Sequence, residues 1–137
     1  MNVQDIVDRL NAHCPLLDNR ARRLRDITEI EDVDQGVPVA FVMRVADQAS
    51  EQNGIGPLVH QQRTRQIAVL MMTDADGMDA EPMEQLRPQI IAALLTWDDD
   101  PEIQFEYAGG EARPPIAGMD RWQDTFRYTD HIRFQLS

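Results

Sequence analysis

The sequence predicts an α+β domain: a mostly antiparallel sheet with helices packed on one side and a projecting β-hairpin arm. Three patterns predict this fold: two apolar stripes at helical spacing, a last strand that alternates apolar and polar residues, and a long strand that is apolar in one half only. The chain has 137 residues, about the length of one domain, and neither a repeat nor a low-complexity linker divides it. Residues 1–137 are therefore expected to form a single domain.

Both helices are predicted from apolar residues spaced three and four positions apart. The first helix follows Asn2, which can cap it, and ends before Pro15. Its stripe consists of Val3, Ile6, Val7 and Leu10. The second helix spans about Ala80–Trp97, and Pro88 is expected to kink it or to mark where its regular part begins. The intervening residues 16–36 favour a short helical turn plus a connection.

Two strands are predicted to form the arm. Val37–Ala46 is apolar on both faces apart from Arg44, which is typical of a strand buried inside a sheet. In the next strand, Val59–Thr73, residues 67–72 are apolar on both faces and residues 60–66 are polar on both. A strand with that division leaves the domain body at its polar end. The tip of the hairpin is therefore expected to project and to meet a neighbouring subunit.

The C-terminal third predicts further antiparallel strands. Ile103–Tyr107 alternates apolar and polar residues, and Gly109-Gly110 predicts a turn or a bulge after it. A second short strand is expected from Glu111 toward Ile116, where two adjacent prolines restrict it to an edge of the sheet.

The last strand, from Arg121 onward, has the clearest pattern, with an apolar face and a polar, solvent-exposed face that we call the wet face. Asp124 and Asp130 interrupt the apolar face and are therefore expected at bends or at ladder ends. Arg121, Arg127 and Arg133 share the wet face. This arginine row is either an ordinary solvated surface or an electrostatic docking strip for an acidic partner.

Composition excludes several classes of protein. Acidic residues number 24 against 13 basic ones, all arginine, for a formal net charge of −11. Such a chain lacks the cationic surplus that general DNA binding requires, and without lysine it forms neither a Schiff base nor a P-loop. The single cysteine, Cys14, excludes an internal disulfide, and no apolar run exceeds six residues, far short of the roughly 20 of a membrane span. With no secretory signal, the chain is expected in a reducing cytoplasm.

No catalytic or ligand-binding constellation emerges from the sequence. His13, His60 and His131 fall on a helix end, in the arm and on the wet face of the last strand, so they are not expected to converge. The acidic segments at Asp74 and Asp98–Asp100 are interpreted as solvated turns rather than cation sites. The sequence therefore predicts no catalytic residue, no cofactor and no metal.

The order and spacing of several segments carry a family resemblance. These segments are the amphipathic helix ending near Pro15, the strand Val39-Ala40-Phe41-Val42, a loop with Asn53, a strand with Gln61, the helix end Ala92-Ala-Leu-Leu-Thr-Trp97, the segment Phe105-Glu-Tyr-Ala-Gly-Gly110, and Trp122-x-Asp-x-Phe126. Together they resemble the tail terminator proteins of long-tailed bacteriophages, in the Mu-like and lambda-like group, over nearly the whole chain. Asp98-Asp99-Asp100 departs from the family, being more acidic than expected just after that tryptophan.

The resemblance implies a structural virion protein and not an enzyme. Such proteins form a homo-oligomeric ring, a hexamer, that caps the tail tube, terminates its polymerisation and provides the tail-side surface for head–tail joining. The implied partners are the tail tube protein and a head–tail connector protein. DNA would pass through the lumen without specific binding, and no membrane is involved. The ring would be assembled in the host cytoplasm and lie at the head-proximal end of the tail.

Two surfaces are expected to make these contacts. The subunit interface is placed on the arm and the loop at its tip, at Gln62, Arg63, Arg65, Asn53, Ile55 and Leu58. Docking to the tube or the connector is placed on the row Arg121, Arg127 and Arg133. Another phage neck or head-completion protein, an acidic DNA-mimic inhibitor and a small enzyme with carboxylate chemistry remain the alternatives.

Overall fold

A five-stranded sheet with two helices on one side forms the described part of the protein. The computed structural model describes residues 2–24, 38–49, 58–74, 82–98, 103–116 and 118–135. The strands are β1 (Ala21–Arg23), β2 (Val39–Ala49), β3 (Leu58–Asp74), β4 (Glu106–Ile116) and β5 (Met119–Gln135), in the spatial order β1-β2-β3-β5-β4. Among these described strands only β1 and β2 pair in parallel, so the predicted α+β fold with a mostly antiparallel sheet is confirmed.

The helices α1 (Val3–His13) and α2 (Pro82–Leu95) occupy the predicted segments. A capping box begins α1, because the Asn2 side chain accepts a hydrogen bond from the Asp5 amide and the Asp5 carboxylate accepts one from the Asn2 amide, each at 2.9 Å. The helix α2 starts at Pro82 and continues through Pro88. Proline removes one helical hydrogen bond there, and the buried stripe Leu86, Ile90 and Leu94 holds the segment in place.

The sheet is buried on both sides near its centre. On the side that we call the helix side, the β2 and β3 residues Ala40, Val42, Ile67, Val69 and Met71 pack with both helices. On the reverse side a smaller cluster forms around Phe41, Leu70 and Met72. This two-sided burial confirms that the apolar segments of β2 and β3 lie centrally in the sheet.

Two segments differ from the sequence-based prediction. After the short 3₁₀ turn Pro15–Leu17, the chain forms β1, a strand that the sequence did not predict, and residues 25–37 lie outside the described part. In the C-terminal third, one continuous strand, β4, replaces two short ones. The pair of glycines falls at a bulge rather than a turn, because the register with β5 shifts between Tyr107 and Gly109.

The arm comprises three strands, of which the predicted hairpin supplies two. The strand β5 pairs with β3 along its whole length, from Gln135 opposite Leu58 to Met119 opposite Asp74. On the other side, β2 pairs with β3 as far as Ala49, opposite Arg63. We define the arm as residues 44–49, 58–66 and 128–135. Its polar β3 segment is therefore a central strand flanked on both sides, not one half of an isolated hairpin.

Candidate assembly surfaces

Four charged side chains meet at the base of the arm, on the helix side, and we call them the arm clasp: Asp47, Arg63, Arg65 and Asp130. Arg63 and Asp130 stand directly opposite each other on β3 and β5. The Arg63 guanidinium donates from Nε to Oδ1 at 2.9 Å and from Nη2 to Oδ2 at 2.8 Å, which is a bidentate pair. The hydrogen bond from Arg63 lowers the pKa of the Asp130 carboxyl, so this carboxyl is ionised at neutral pH.

Arg65 extends the arm clasp across all three strands. Its Nε lies 3.1 Å from Oδ1 of Asp47 on β2, and its Nη1 lies 3.9 Å from Oδ2 of Asp130 on β5. Only 9% of Arg65 is exposed, so loss of its aspartate partners would leave a shielded positive charge unpaired. The arm clasp thus ties β2, β3 and β5 together where the apolar core ends.

Tyr128 lies between the core and the arm clasp. It pairs with Arg65 in the β3–β5 register and its ring packs on Phe105, with centroids 4.8 Å apart. Tyr128 is 1% exposed, and its hydroxyl has no hydrogen-bond partner among the described residues. Burial raises the pKa of this phenol. The core therefore ends on a neutral polar group that faces a cluster of paired charges.

A second polar cluster, the Asp124 cluster, joins α2 to β4 and β5: Arg87, Tyr107, Trp122 and Asp124. Asp124 is 0% exposed and accepts hydrogen bonds from Arg87 Nε at 2.9 Å, Arg87 Nη2 at 3.0 Å, Tyr107 Oη at 2.7 Å and Trp122 Nε1 at 2.9 Å. The Arg87 guanidinium also lies over the Trp122 ring, 4.2 Å from its centroid. The expectation that Asp124 lies at a bend or a ladder end is wrong, since it pairs with Val69 in the middle of the ladder.

Gly110 provides the space that the Asp124 cluster occupies. A β-carbon at position 110 would overlap the Asp124 carboxylate and crowd Trp122 Nε1 and Tyr107 Oη. The segments that carry the family resemblance, 105–110 and 122–126, thus supply three side chains and the glycine of this cluster. Sequence reasoning missed this site because its members converge only through the β4–β5 register and the position of α2. A buried-strand aspartate flanked by aromatic residues was the one available signal.

The predicted arginine row lies on the reverse side of the sheet. Arg121 donates from Nε to the Pro114 carbonyl oxygen at 2.6 Å, and Arg127 pairs with Glu106 at 2.9 Å. The Arg127–Glu106 pair is solvent-exposed, with half of the Arg127 side chain accessible. The position of Arg133 in the register, opposite His60, continues the row along β5, but its side chain lies outside the described part. Docking at this row stays a prediction.

The predicted interface residues divide into three groups. Arg63 and Arg65 belong to the arm clasp, and Gln62 is exposed beside them on β3. Leu58 is the first residue of β3, where only its backbone is described. The tip residues Asn53 and Ile55 lie outside the described part. Whether these six residues contact a second subunit stays a prediction.

Other polar and reactive groups in the described ranges fit structural roles. Cys14 is buried at the end of α1 and belongs to the core, as predicted, and burial raises the pKa of its thiol to about 11. Within the described residues no group of three or more histidine, cysteine or acidic side chains could hold a metal ion. Of the acidic segments at Asp74 and Asp98–Asp100, only the two residues Asp74 and Asp98 lie inside the described part.

The described residues thus form a small α+β domain with a three-stranded arm and two clusters of paired charges. The chain belongs to the phage tail terminator protein family, whose model matches residues 1–135. No curated protein matches the sequence. Membership assigns the protein a structural role in phage tail assembly and makes it a component of the virion. None of the helices in the described ranges is long and apolar enough to cross a membrane.

Proposed function

We propose that this protein forms a hexameric ring that caps the tail tube, stops its polymerisation and offers the tail-side surface for head–tail joining. The supporting observation is the arm. Its three strands continue past Ile67 and Phe126, and the described side chains beyond that pair are mostly polar on both sides of the sheet, with Arg63 and Arg65 on the helix side and Thr64 and Thr129 on the reverse side. A polar strand extension of this length adds little to the stability of the domain itself, which favours a role in contacts between subunits.

In this proposal, termination is steric. The ring binds to the last ring of the tube and presents a different face to the next tube subunit, so growth stops without any chemical step. The arm supplies the subunit contacts, with Gln62, Arg63, Arg65, Asn53, Ile55 and Leu58 as the candidate residues. The contact with the tube protein or the connector protein is made by the row Arg121, Arg127 and Arg133. On a subunit that is acidic overall, this row of positive charge makes the contact specific for an acidic surface of the partner.

The proposed lumen is compatible with DNA passage. A subunit with a net charge of −11 repels the phosphate backbone over the distance set by ionic screening. DNA would therefore move through the ring without binding to it. The family membership supports a place in the virion tail, and we place the ring at the head-proximal end of that tail.

Two measurements test this proposal. Light scattering across a concentration series should give the mass of a hexamer, whereas a monomer at every concentration and salt would count against a ring that forms by itself. Electron microscopy of tails assembled with and without the protein should show tubes of one length with it and a broad distribution of longer tubes without it. Unchanged tube lengths would contradict termination.

A matched pair of variants separates docking from ring formation. Arg121→Glu with Arg127→Glu should leave the ring mass unchanged and should prevent capping of tubes, because both side chains lie on the reverse side of the sheet. The control is Arg23→Glu on β1, an exposed arginine that β2 and β3 separate from β5. Equal capping by all three proteins would remove the arginine row from the proposal.

A further inference from the structure

We propose that the two outer edges of the arm pair with each other between neighbouring copies of this chain, so that the sheet continues from β5 of one copy to β2 of the next. This inference rests on the proposed ring and specifies its interface. It places the main contact in main-chain hydrogen bonds of β2 and β5, and of the candidate residues named above it reassigns Arg63 and Arg65 to pairs within their own chain. Because the two edges lie on opposite sides of β3, a ring of identical copies brings β5 of one copy beside β2 of the next, so the occupant of each edge is a second copy.

The orientation of the backbone at the outer edge of β5 follows from the register. The Ala40 amide donates to the Arg20 carbonyl at 3.2 Å, so the main-chain groups of Ala40 face β1 and those of its neighbour Phe41 face β3. Carrying this alternation across β3 to β5 makes the main-chain groups of Arg127 face β4, where Arg127 pairs with Glu106. The next main-chain groups facing outward on β5 are those of residues 129, 131, 133 and 135.

Within the described part of the chain, β4 ends its pairing with β5 at Arg127, and no strand pairs with the outer edge of residues 129–135. An open polar groove crosses the reverse side of the sheet at this level, from Gln48 on β2 and Thr64 on β3 to Thr129 on β5 and Gln104 beside the edge. A strand that lies along this edge would therefore meet hydrogen-bonding groups of the backbone and polar side chains beside them.

The outer edge of β2 mirrors this arrangement on the opposite side of the arm. Its pairing with β1 ends at Val42, and the described residues place no strand against 44–49. The register of β2 with β3 shifts between Arg44 and Ala46, so beyond this bulge the outward main-chain groups belong to Asp47 and Ala49. Val45 lies at the bulge and is half exposed, which makes it the large apolar side chain available on this edge of the described sheet.

Two different edges on opposite sides of one unit produce a head-to-tail contact. Such a heterologous contact closes into a ring when the rotation between copies is right, whereas pairing of one edge with itself stops at a dimer. Within one copy, β2 and β5 run in the same direction because both are antiparallel to β3. Rotation about an axis along the strands keeps that direction, so β5 would pair in parallel with β2 of the next copy.

The arm clasp favours main-chain contacts over side-chain ones. Arg63 and Arg65 are already paired with aspartates of their own chain, and using them across an interface would require breaking those pairs. The arm clasp instead holds β2, β3 and β5 in a fixed register at the base of the arm. Both outer edges are thereby preorganised to receive a strand, which lowers the entropic cost of association.

The experiment removes one outward amide from each edge. Thr129→Pro on β5 and Ala49→Pro on β2 delete an outward N–H and leave the amides that face β3 intact. Each should raise the protein concentration at half-assembly at least about tenfold, since every interface loses a hydrogen bond and the close approach of the partner strand. Light scattering measures the mass, and circular dichroism confirms that each variant is folded.

Two controls match these substitutions. Thr129→Val keeps the backbone N–H and replaces the side-chain hydroxyl, which lies 3.5 Å from that of Thr64, with a methyl group. Ala112→Pro deletes an N–H that faces away from β5 on β4, at an exposed edge outside the arm. Both controls should assemble like the wild type.

Mixing the two variants tests the head-to-tail geometry. Thr129→Pro retains its β2 edge and Ala49→Pro retains its β5 edge, so an equimolar mixture should form a dimer and nothing larger. If Ala49→Pro assembles normally while Thr129→Pro does not, the contact is of one edge with itself and the inference is overturned. If both variants form the wild-type ring, the edges are not the interface, although the proposed ring stands. A wild type that stays monomeric at all concentrations and salts contradicts a ring that forms by itself and, with it, the edge pairing.

Discussion

One buried carboxylate, Asp124, connects a helix to the last two strands. It receives four hydrogen bonds from three side chains, and those side chains come from α2, β4 and β5. Burial, followed by the hydrogen bond to Asp124, raises the pKa of the Tyr107 phenol, which keeps Tyr107 a neutral donor. Because the loss of any of these partners would leave donors or charge unpaired in the interior, the Asp124 cluster ties α2 to this arrangement of β4 and β5.

Removing the charge of Asp124 should therefore destabilise the domain. Asp124→Asn keeps the shape of the side chain and should lower the free energy of unfolding by about 3 kcal/mol, measured by urea denaturation. The matched control is Glu106→Gln, which breaks the exposed pair with Arg127 and should cost less than about 1 kcal/mol. Equal losses in the two variants would contradict a stabilising role for the Asp124 cluster.

Gly110 provides a second test at the residue scale. Gly110→Ala places a methyl group where the Asp124 carboxylate lies, so the polar cluster must shift or separate. We expect the free energy of unfolding to fall by about 2 kcal/mol, with a change in tryptophan fluorescence as Trp122 moves. The neighbouring exposed substitution Glu111→Ala should leave both unchanged. Wild-type stability in Gly110→Ala would mean that the site tolerates the added atom.

At the scale of the elements, periodicity predicted the parts of the fold whose burial is regular. The stripe of α1 and the alternation of β5 were both readable because one face of each is apolar. The strand β1 could not be predicted in this way, since three residues are too few to show a period. The strand β4 was predicted as two short strands because its bulge looks like a turn in the sequence. Asp124 was misplaced because its partners Arg87 and Tyr107 are distant in sequence, so only the folded chain shows why an aspartate interrupts an apolar face.

The arm clasp makes the stability of the arm depend on pH. Because the pKa of Asp130 is lower in the folded protein than in the unfolded chain, unfolding takes up a proton in acid. The stabilisation that ionised Asp130 contributes is complete above the ordinary aspartate pKa of about 4. It is lost as the pH falls through the lower pKa that Asp130 has in the folded protein. Hydrogen exchange of the β3 and β5 amides should accordingly show the arm opening more often at acidic pH, relative to the intrinsic exchange rate.

Asp130→Asn separates this effect from general acid destabilisation. The variant should open more often at neutral pH and should lose less protection on acidification than the wild type. Asp120→Asn, which changes an exposed aspartate on the same strand, serves as the control and should follow the wild-type profile. A profile for Asp130→Asn parallel to that of the wild type would show that this carboxylate does not govern the arm.

For the whole molecule, two properties have opposite effects on the association of copies. The strand edges of the arm favour association in the proposed ring, while a net charge of −11 on every copy opposes it. If main-chain hydrogen bonds hold the subunits together, they depend little on ionic strength, whereas the repulsion between copies is screened by salt. Raising the salt from about 0.01 M to 0.15 M shortens the Debye length from about 30 Å to about 8 Å, so the concentration at half-assembly should fall.

Light scattering at the two ionic strengths measures this shift directly. A variant with reduced surface charge away from the arm, Glu84→Gln with Asp8→Asn, should assemble at lower concentration in low salt and should respond less to added salt, because less repulsion remains to be screened. The opposite result, dissociation of the ring by salt, would mean that ion pairs between subunits dominate. In that case Arg63 and Arg65 would have to exchange their own aspartates for those of a neighbour, and the arm clasp would be a feature of the isolated subunit only.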